Sequence, residues 1–189
     1  MKAVLLCTVL AAALTGAASA QGTYVEVFGG VALPGDLTFD YPTGSDNTFD
    51  TNSGYSYGAA LGFDIGSGWS VEGEVAYYKS EYTGYDPNNN DLLNLSVNGY
   101  YTFNTGGQFK PYLGVGIGYG DVGYEGDVDQ SNWGFTYQGM AGIRMALSDK
   151  IEFFGEYRYV ASEDVDLDTV IYKAEYHAHN IQAGLRFNF

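Results

Sequence analysis

Apolar and polar residues alternate in steps of two along most of this chain. The alternation is clearest at the carboxyl end, where one register contains Ile181, Ala183, Leu185, Phe187 and Phe189. The other register contains Asn180, Gln182, Gly184, Arg186 and Asn188. Strict alternation is the period of a β-strand that has one apolar and one polar face. The sequence therefore predicts a strand that ends in an aromatic residue.

Seven earlier segments repeat this period, which gives eight predicted strands in all. Their approximate bounds are Gly22 to Leu33, Gly54 to Ile65, Trp69 to Tyr82, Leu92 to Phe103, Phe109 to Gly120, Trp133 to Leu147 and Ile151 to Ala161. No helical period accompanies them, which argues against a parallel sheet built from alternating strands and helices.

The connections between these segments alternate between long and short. The long ones are rich in Asp, Asn, Thr and Gly, whereas Gly66-Ser67-Gly68 and Ser148-Asp149-Lys150 are tight turns. An even number of strands, with short periplasmic turns and longer extracellular loops, is typical of outer-membrane barrels. We therefore predict an all-β fold, an eight-stranded antiparallel up-and-down transmembrane β-barrel. Both termini should be periplasmic and the long loops extracellular.

A secreted soluble barrel of the lipocalin type is the alternative, because it would alternate as well. Its apolar faces would point inward, but the second register here is mainly Gly, Ser and Asn with a few charges. Those residues fill an apolar cavity poorly and suit a small polar lumen. Aromatic residues such as Tyr55, Trp69, Trp133 and Phe187 fall near the ends of the apolar faces, where a membrane barrel has its interfacial girdles.

The amino end has the pattern of a secretory signal peptide. Met1-Lys2 is basic, residues 3–14 are apolar, and Ala18-Ser19-Ala20 is a small-residue cleavage site. We expect residues 1–20 to be removed and residues 21–189 to form the barrel domain. An uncleaved membrane anchor is disfavoured because the apolar run is short. The single cysteine, Cys7, lies in this segment, so the mature domain should contain no disulfide.

Composition narrows the possible functions. The chain has 27 Gly and 18 Tyr, and its 23 acidic and 8 basic residues give a formal net charge of -15. The glycines follow no three-residue period, which excludes a collagen-like chain. The negative charge disfavours nucleic-acid binding. We expect no cofactor.

Charged residues on the polar register should lie inside the barrel. Buried charges are tolerable only when they are paired and hydrogen-bonded, so we expect a lumen charge network that acts as a structural plug. A gated small-ion pore or a proton path is the alternative. The expected members are Glu26, Glu72, Glu74, Arg144, Glu152, Glu156, Arg158 and Arg186.

Most of the other acidic residues lie in the long connections. Carboxylates close together could bind divalent cations such as Ca²⁺, but no segment has the spacing of an EF-hand loop. A solvated anionic surface, loosely bridged by divalent cations, is the preferred interpretation, and we expect no specific metal site. The weak Ca²⁺ candidates are Asp127, Asp129, Asp164, Asp166 and Asp168.

His177 and His179 are two residues apart on the apolar register of the last strand. They could bind a metal or act as general bases, but the sequence offers no third ligand and no nucleophile motif. Ser162 and Glu175 are the nearest candidates for a lipid A hydrolase. We therefore predict that both imidazoles lie at the membrane interface, and that the protein has no catalytic residues and no enzyme activity.

Three segments resemble a known family. They are Tyr24-Val-Glu-Val-Phe-Gly-Gly30, Lys110-Pro-Tyr-Leu-Gly-Val-Gly116 and Ala183-Gly-Leu-Arg-Phe-Asn-Phe189. With the signal peptide and eight strands, they are similar to the OmpA/OmpX-like small outer-membrane β-barrels of the porin family. The resemblance implies a Gram-negative outer membrane, contact with its lipid and lipopolysaccharide, and a terminal assembly signal at Phe187 and Phe189 that the barrel-assembly machinery reads.

A structural or surface-interaction role follows as the expected function: membrane integrity, adhesion or recognition through the loops. A narrow porin for small solutes or ions is the first alternative, and an enzyme that modifies lipid A is the second.

Overall fold

The computed structural model describes residues 22–33, 36–39, 47–50, 54–80, 90–124, 130–162, 165–166, 173–174 and 177–189. The expected signal peptide lies outside these ranges, as does most of each long connection.

Within the described ranges the chain forms β-strands joined by turns. In chain order they are β1 (Thr23–Leu33), β2 (Asp36–Phe39), β3 (Asn47–Asp50), β4 (Gly54–Gly66), β5 (Trp69–Ser80), β6 (Asn90–Thr102), β7 (Phe109–Tyr124), β8 (Gln130–Ala146), β9 (Ile151–Ser162), β10 (Val165–Asp166), β11 (Lys173–Ala174) and β12 (His177–Asn188). No helix in the described part of the chain is long and apolar enough to cross a bilayer.

Eight of these strands close into one antiparallel barrel in the order β1-β12-β9-β8-β7-β6-β5-β4. The ring closes between β1 and β12, where the register runs from Tyr24 opposite Asn188 to Leu33 opposite His179. Closure satisfies the backbone hydrogen bonds of both edge strands. The predicted all-β, eight-stranded up-and-down fold is confirmed, and each of the eight alternating segments corresponds to one barrel strand.

The long connections contain structure that the sequence pattern did not predict. Strands β2 and β3 pair with each other, and so do β10 and β11. The β7–β8 hairpin also extends to the pair Tyr124–Gln130, beyond the predicted strand limits at Gly120 and Trp133. Strands β2 and β3 have four residues each, and β10 and β11 have two each, so they are too short for hydrophobic periodicity to reveal them.

The two ends of the barrel differ. We call the end with the short turns after β4, β6 and β8 the turn end; Thr23 and Phe189 also lie there. We call the opposite end, where the long connections begin, the loop end. Gly66, Ser67 and Gly68 make the β4–β5 turn with φ of 94°, 55° and 85°. Two glycines tolerate this left-handed backbone without steric cost.

Even-numbered residues face the lumen in all eight barrel strands, as the alternation predicted. Arg158 and Tyr100 are only 2% and 1% exposed, whereas Val115 and Ile117 on the outer face are 71% and 59% exposed. The outer face therefore presents a broad apolar surface, and the polar register is enclosed.

The lumen is less polar than the sequence suggested. Large apolar and aromatic side chains form a buried cluster among the charges, so the expectation of an interior of Gly, Ser, Asn and a few charges was incomplete. The cluster consists of Phe28, Ala76, Tyr78, Leu92, Tyr100, Tyr112, Met140, Phe154 and Val160.

Glycines on neighbouring strands make room for these rings. A Cβ atom added to any of five lumen-facing glycines would overlap the aromatic ring that stands directly opposite. The abundance of glycine therefore has a packing reason, because each ring lies flat over a bare Cα. The pairs are Tyr24–Gly62, Phe28–Gly58, Tyr100–Gly114, Tyr112–Gly142 and Phe154–Gly184.

Candidate functional site

The candidate site is the charged interior of the barrel. All eight residues that alternation assigned to it face the lumen, and each takes part in at least one ion pair there. Seven of them are buried, and Glu152 is partly exposed at the turn end. The ion pairs fall into two groups, one in the middle of the lumen and one at the turn end.

The central group is built around Arg158. Its Nη1 lies 2.5 Å from Glu74 Oε1 and its Nε lies 2.9 Å from Glu156 Oε1. The guanidinium also donates to the hydroxyl oxygens of Tyr78 and Tyr100, at 3.3 Å and 3.4 Å. The two carboxylates and two hydroxyls therefore surround the guanidinium and hold it in place.

Glu156 links the central group to the surrounding wall. Besides Arg158, it accepts hydrogen bonds from the Tyr112 hydroxyl at 2.9 Å and from Gln182 Nε2 at 2.8 Å. Glu74 likewise accepts a hydrogen bond from Asn98 Nδ2 at 3.2 Å. Buried carboxylates need this many donors to offset the loss of hydration.

The turn-end group contains the other two arginines. Arg144 Nη2 lies 3.5 Å from Glu26 and 3.8 Å from Glu72, and Arg144 Nη1 donates to Thr102 at 2.8 Å. Glu72 also accepts a hydrogen bond from the Tyr24 hydroxyl at 2.7 Å. These contacts join β8 to β1, β5 and β6 through the lumen.

Arg186 completes the turn-end group. Its Nη2 contacts both oxygens of Asp64 at 2.7 Å and 2.9 Å, and its Nε lies 3.6 Å from Glu152. Glu152 also pairs with Lys110 at 3.3 Å. Sequence reasoning did not name Asp64 or Lys110 as members of the network, although both stand on the even-numbered register that the alternation assigns to the lumen.

Each arginine also stacks against an aromatic ring. Arg186 Cζ lies 3.3 Å from the centroid of the Tyr24 ring, and Arg144 Cζ lies 4.1 Å from that of Tyr112. Arg158 Cζ lies 5.1 Å from the centre of the Phe28 ring. Cation–π contacts are worth more in such desolvated surroundings than at exposed sites, so the charged and aromatic residues form one packed interior.

A cavity of about 320 Å³ opens among the turn-end residues. Charged side chains from Asp64, Lys110, Arg144, Glu152 and Arg186 line it. Among the described lumen residues, six carboxylates accompany four cationic side chains. If all six were ionised, the lumen would carry an excess of negative charge, which would favour cations over anions.

The loop-end half of the lumen contains uncharged polar side chains beside apolar ones such as Leu92 and Val160. Thr136 donates to Asn94 at 2.7 Å, and Gln138 donates to Asn98 and Ser96 at 2.6 Å and 3.1 Å. Several buried side-chain atoms have no hydrogen-bond partner within the described part of the chain. They include Ser56 Oγ, Asn94 Nδ2, Gln138 Oε1, Gln182 Oε1, and both amide atoms of Asn180.

The outer face has an aromatic belt at each end. Belt members at the loop end include the neighbouring rings of Tyr57 and Tyr77 and the stacked rings of Tyr119 and Trp133. Those at the turn end include Phe63, Trp69, Tyr101, Phe103, Phe109, Phe187 and Phe189. Exposed aliphatic residues such as Val115 and Ile117 lie between the belts.

His177 and His179 belong to the loop-end belt. Their Nδ1 atoms hydrogen-bond to the hydroxyls of Tyr159 and Tyr157 at 2.8 Å and 2.6 Å. Ser162 stands on the even-numbered, lumen-facing register of β9, so it lies on the opposite face of the sheet from the two imidazoles. Glu175 lies outside the described residues.

No cluster of three or more metal-ligating residues occurs in the described part of the chain. The Ca²⁺ candidates Asp127, Asp129, Asp164 and Asp168 lie outside it, and only the backbone of Asp166, in β10, is described.

The terminal aromatics lie at the seam where the barrel closes. Phe187 stands between Val25 on β1 and Ile151 on β9. The backbone N–H of Phe189 donates to the Thr23 carbonyl at 3.0 Å, one residue beyond the last paired position of β12.

Comparisons with known proteins agree with this architecture. A family model described as outer membrane protein beta-barrel domain matches residues 3–189. No curated protein matches the chain. Among solved structures, Neisserial surface protein A has a TM-score of 0.65 at 19% identity, over 89% of this chain and 98% of that one. OprG from Pseudomonas aeruginosa has a TM-score of 0.60 at 15% identity, over 89% and 96%. At such low identities the structural likeness concerns the fold alone.

Proposed function

We propose that this chain, which belongs to the outer membrane protein β-barrel family and therefore resides in the outer membrane, has a structural and surface-interaction role there. Maintaining membrane integrity, adhesion and recognition through the long connections are all forms of that role.

The observation that carries the proposal is the plug in the middle of the lumen. Arg158 is 2% exposed and is held by Glu74 and Glu156 together with two tyrosine hydroxyls. An eight-stranded barrel is only wide enough for side chains to fill it. Because the lumen is closed in this way, we favour a function at the ends of the barrel over transport through it.

The loop end is the proposed interaction surface. Short turns are typical of the periplasmic side of outer-membrane barrels and long loops of the extracellular side, so we orient the turn end and both termini toward the periplasm. The long connections carry many of the 23 acidic residues. Such a surface would meet lipopolysaccharide through bridging divalent cations and would repel other anionic polymers.

A narrow pore for small cations is the second candidate. The turn-end cavity of about 320 Å³ supports it, as do the unpartnered polar atoms in the loop-end half of the lumen. Together they would leave the central Arg158 group as the main barrier, and the excess of lumen carboxylates would select cations.

Conductance of the refolded protein in planar lipid bilayers separates the two candidates. The structural role predicts no discrete current steps from the wild-type protein. Repeated unitary steps with cation selectivity would refute the plug and support the pore. Arg158→Ala serves as a positive control, because it removes the central side chain and should allow brief openings.

The structure offers little support for a lipid A hydrolase. Ser162 and the two imidazoles belong to opposite faces of the sheet, and both Nδ1 atoms are bonded to tyrosine hydroxyls. Mass spectra of lipid A from cells with and without the protein should therefore be identical, and a mass difference that depends on His177 would support the hydrolase.

A further inference from the structure

Two tyrosines of β9 and two histidines of β12 form a ladder of rings on the outer face of the barrel. Tyr159 stands opposite His179 in the β9–β12 pairing, and the centroids of their rings lie 5.1 Å apart. The hydroxyls of Tyr157 and Tyr159 meet the Nδ1 atoms of His179 and His177, at 2.6 Å and 2.8 Å. The ladder therefore consists of two phenol–imidazole couples.

The couple of Tyr157 and His179 begins within the apolar band of the outer face. Tyr157 stands between Ile181 on β12 and Ala141 on β8, and it is 44% exposed. Water is scarce at this depth of a bilayer, so a phenol hydroxyl needs a hydrogen-bond partner from the protein. His179 supplies that partner from the next outward-facing position of β12 toward the loop end.

The two imidazoles are the basic side chains of this part of the outer face. Among the described outward-facing residues of β8, β9 and β12, none carries a carboxylate, an ammonium or a guanidinium group. A neutral imidazole with its proton on Nε2 accepts a hydrogen bond at Nδ1. Imidazole is also the side chain that takes up and releases a proton near neutral pH. Tyr157 therefore has a proton acceptor in place at its hydroxyl.

We propose that Tyr157 is a site of one-electron oxidation and nitration by the nitrogen dioxide radical, a small uncharged oxidant that enters bilayers. The first radical takes an electron from the phenol and becomes nitrite, while the O–H bond breaks and the proton forms a bond to His179 Nδ1. A second radical forms a C–N bond at the ring carbon next to the phenolic carbon. The hydrogen of that carbon leaves as a proton, and the phenolic oxygen takes back its own proton from Nδ1. One tyrosine and two radicals thus give 3-nitrotyrosine, nitrite and a proton.

Tyr137 shows what the imidazole adds. It is 43% exposed on the outer face of β8, almost the same as Tyr157, but its cross-strand neighbour on β9 is Ala161. Without a proton acceptor the oxidised phenol keeps its positive charge, which is costly in apolar surroundings. The lumen tyrosines Tyr24 and Tyr112 donate to carboxylates, but they are at most 2% exposed and out of reach of a radical in the bilayer. Exposure together with a basic partner therefore selects Tyr157.

Nitration of the refolded protein in vesicles of a saturated phosphatidylcholine tests the proposal. A peroxidase generates nitrogen dioxide from nitrite and hydrogen peroxide, and tandem mass spectra of peptides locate the nitro groups. Trypsin cuts after Arg158, which separates Tyr157 from Tyr159. At low conversion Tyr157 should carry about tenfold more nitro groups than Tyr137, which is below the roughly hundredfold that a positioned proton acceptor supplies in an enzyme.

Three variants assign the effect to one imidazole. His179→Phe keeps a ring but removes the proton acceptor, and it should lower nitration of Tyr157 to the level of Tyr137. His179→Gln keeps a hydrogen-bonding side chain without the base and should have the same effect. His177→Phe is the matched control, because His177 pairs with Tyr159, and it should leave nitration of Tyr157 unchanged. Heat-modifiable migration on a gel verifies that each variant is folded, and nitration of Tyr137 should be the same in all four proteins.

Equal nitration of Tyr157 and Tyr137 in the wild-type protein would overturn the proposal, and so would undiminished nitration of Tyr157 in His179→Phe. Full nitration of Tyr157 in His179→Gln would overturn the proton transfer to the imidazole. The proposal goes beyond the surface role proposed above, because it concerns the lipid-facing wall of the barrel. A conducting lumen would contradict the proposed function and leave this proposal standing.

Discussion

Arg158 and Glu74 bridge the full width of the barrel, with Arg158 Nη1 2.5 Å from Glu74 Oε1. Strands β9 and β5 are four positions apart in the ring of eight, whichever way one counts, so they face each other across the lumen. The pair therefore ties opposite walls together and fills the middle of the barrel. Its consequences for stability can be measured directly.

Glu74→Ala should lower the free energy of unfolding by about 3 kcal/mol, the lower end of the range for a broken buried ion pair. We expect the lower end because Glu156 remains 2.9 Å from Arg158 and still compensates the guanidinium charge. Replacing both partners, as in Glu74→Met with Arg158→Leu, should cost much less, because no uncompensated charge stays buried. Urea unfolding of protein refolded into lipid vesicles measures both effects.

The Lys110–Glu152 pair is the matched control, because the Lys110 side chain is 43% exposed. Lys110→Gln should change the free energy of unfolding by about 1 kcal/mol or less. Similar losses for Glu74→Ala and Lys110→Gln would show that burial of the central pair is not what makes it important.

Gly114→Ala should destabilise the barrel by about 1–3 kcal/mol, the usual cost of overpacking. The added Cβ would lie 2.5 Å from the Tyr100 ring and 3.1 Å from Met140 Cε. Gly99→Ala is the control, since a Cβ on that outward-facing glycine meets nothing within 4 Å. The same unfolding assay should find Gly99→Ala close to neutral, and equal losses at the two positions would contradict the ring-over-glycine packing.

The barrel could be predicted from the sequence because the two-residue alternation of apolar and polar side chains is visible without any tertiary structure. The alternation also predicted which face each residue occupies, and that placed Arg144, Arg158 and Arg186 inside. The sequence did not show which carboxylate pairs with which arginine across the lumen. Glu74 and Arg158 are 84 positions apart, and only closure of the ring places β5 opposite β9.

Register explains what sequence reasoning missed. Asp64 and Lys110 were on the predicted inner face, yet neither was assigned to the network, because alternation gives a residue's side and not its height along the barrel. The aromatic–glycine pairs also need the register, since Tyr100 meets Gly114 only when β6 and β7 are aligned. The hairpins β2–β3 and β10–β11 depend on pairing between segments of only two to four residues, which periodicity does not detect.

Zinc should bind the wild-type protein and the His177→Phe, His179→Phe double variant equally. Two imidazoles fall short of the set of ligands that a structural zinc site uses, and both Nδ1 atoms already engage tyrosine hydroxyls. Isothermal titration calorimetry compares the two proteins, so that any binding to the acidic connections cancels. A saturable heat that disappears in the double variant would show that the histidines form a metal site.

Deletion of Phe189 should impair assembly in cells several-fold more than it impairs stability in vitro. The truncation removes one backbone hydrogen bond, from Phe189 to Thr23 at 3.0 Å, which is worth about 1 kcal/mol. We propose that the barrel-assembly machinery reads the terminal aromatic, so its loss should act mainly on insertion. The fraction of heat-modifiable protein in isolated membranes measures assembly, and urea unfolding of refolded protein measures stability.

We expect a larger effect on assembly from Phe189 than from other aromatic residues of the turn end, because Phe189 lies where β1 and β12 close the barrel. Strands β1 and β12 pair residues from opposite ends of the barrel domain, so closure requires contacts of the largest sequence separation and is expected to be slow. Phe109→Ala is the control, because Phe109 is 59% exposed at the same end but belongs to β7, away from the seam. If Phe109→Ala reduces assembly as strongly as the truncation, the effect belongs to the whole aromatic belt and not to the terminal residue.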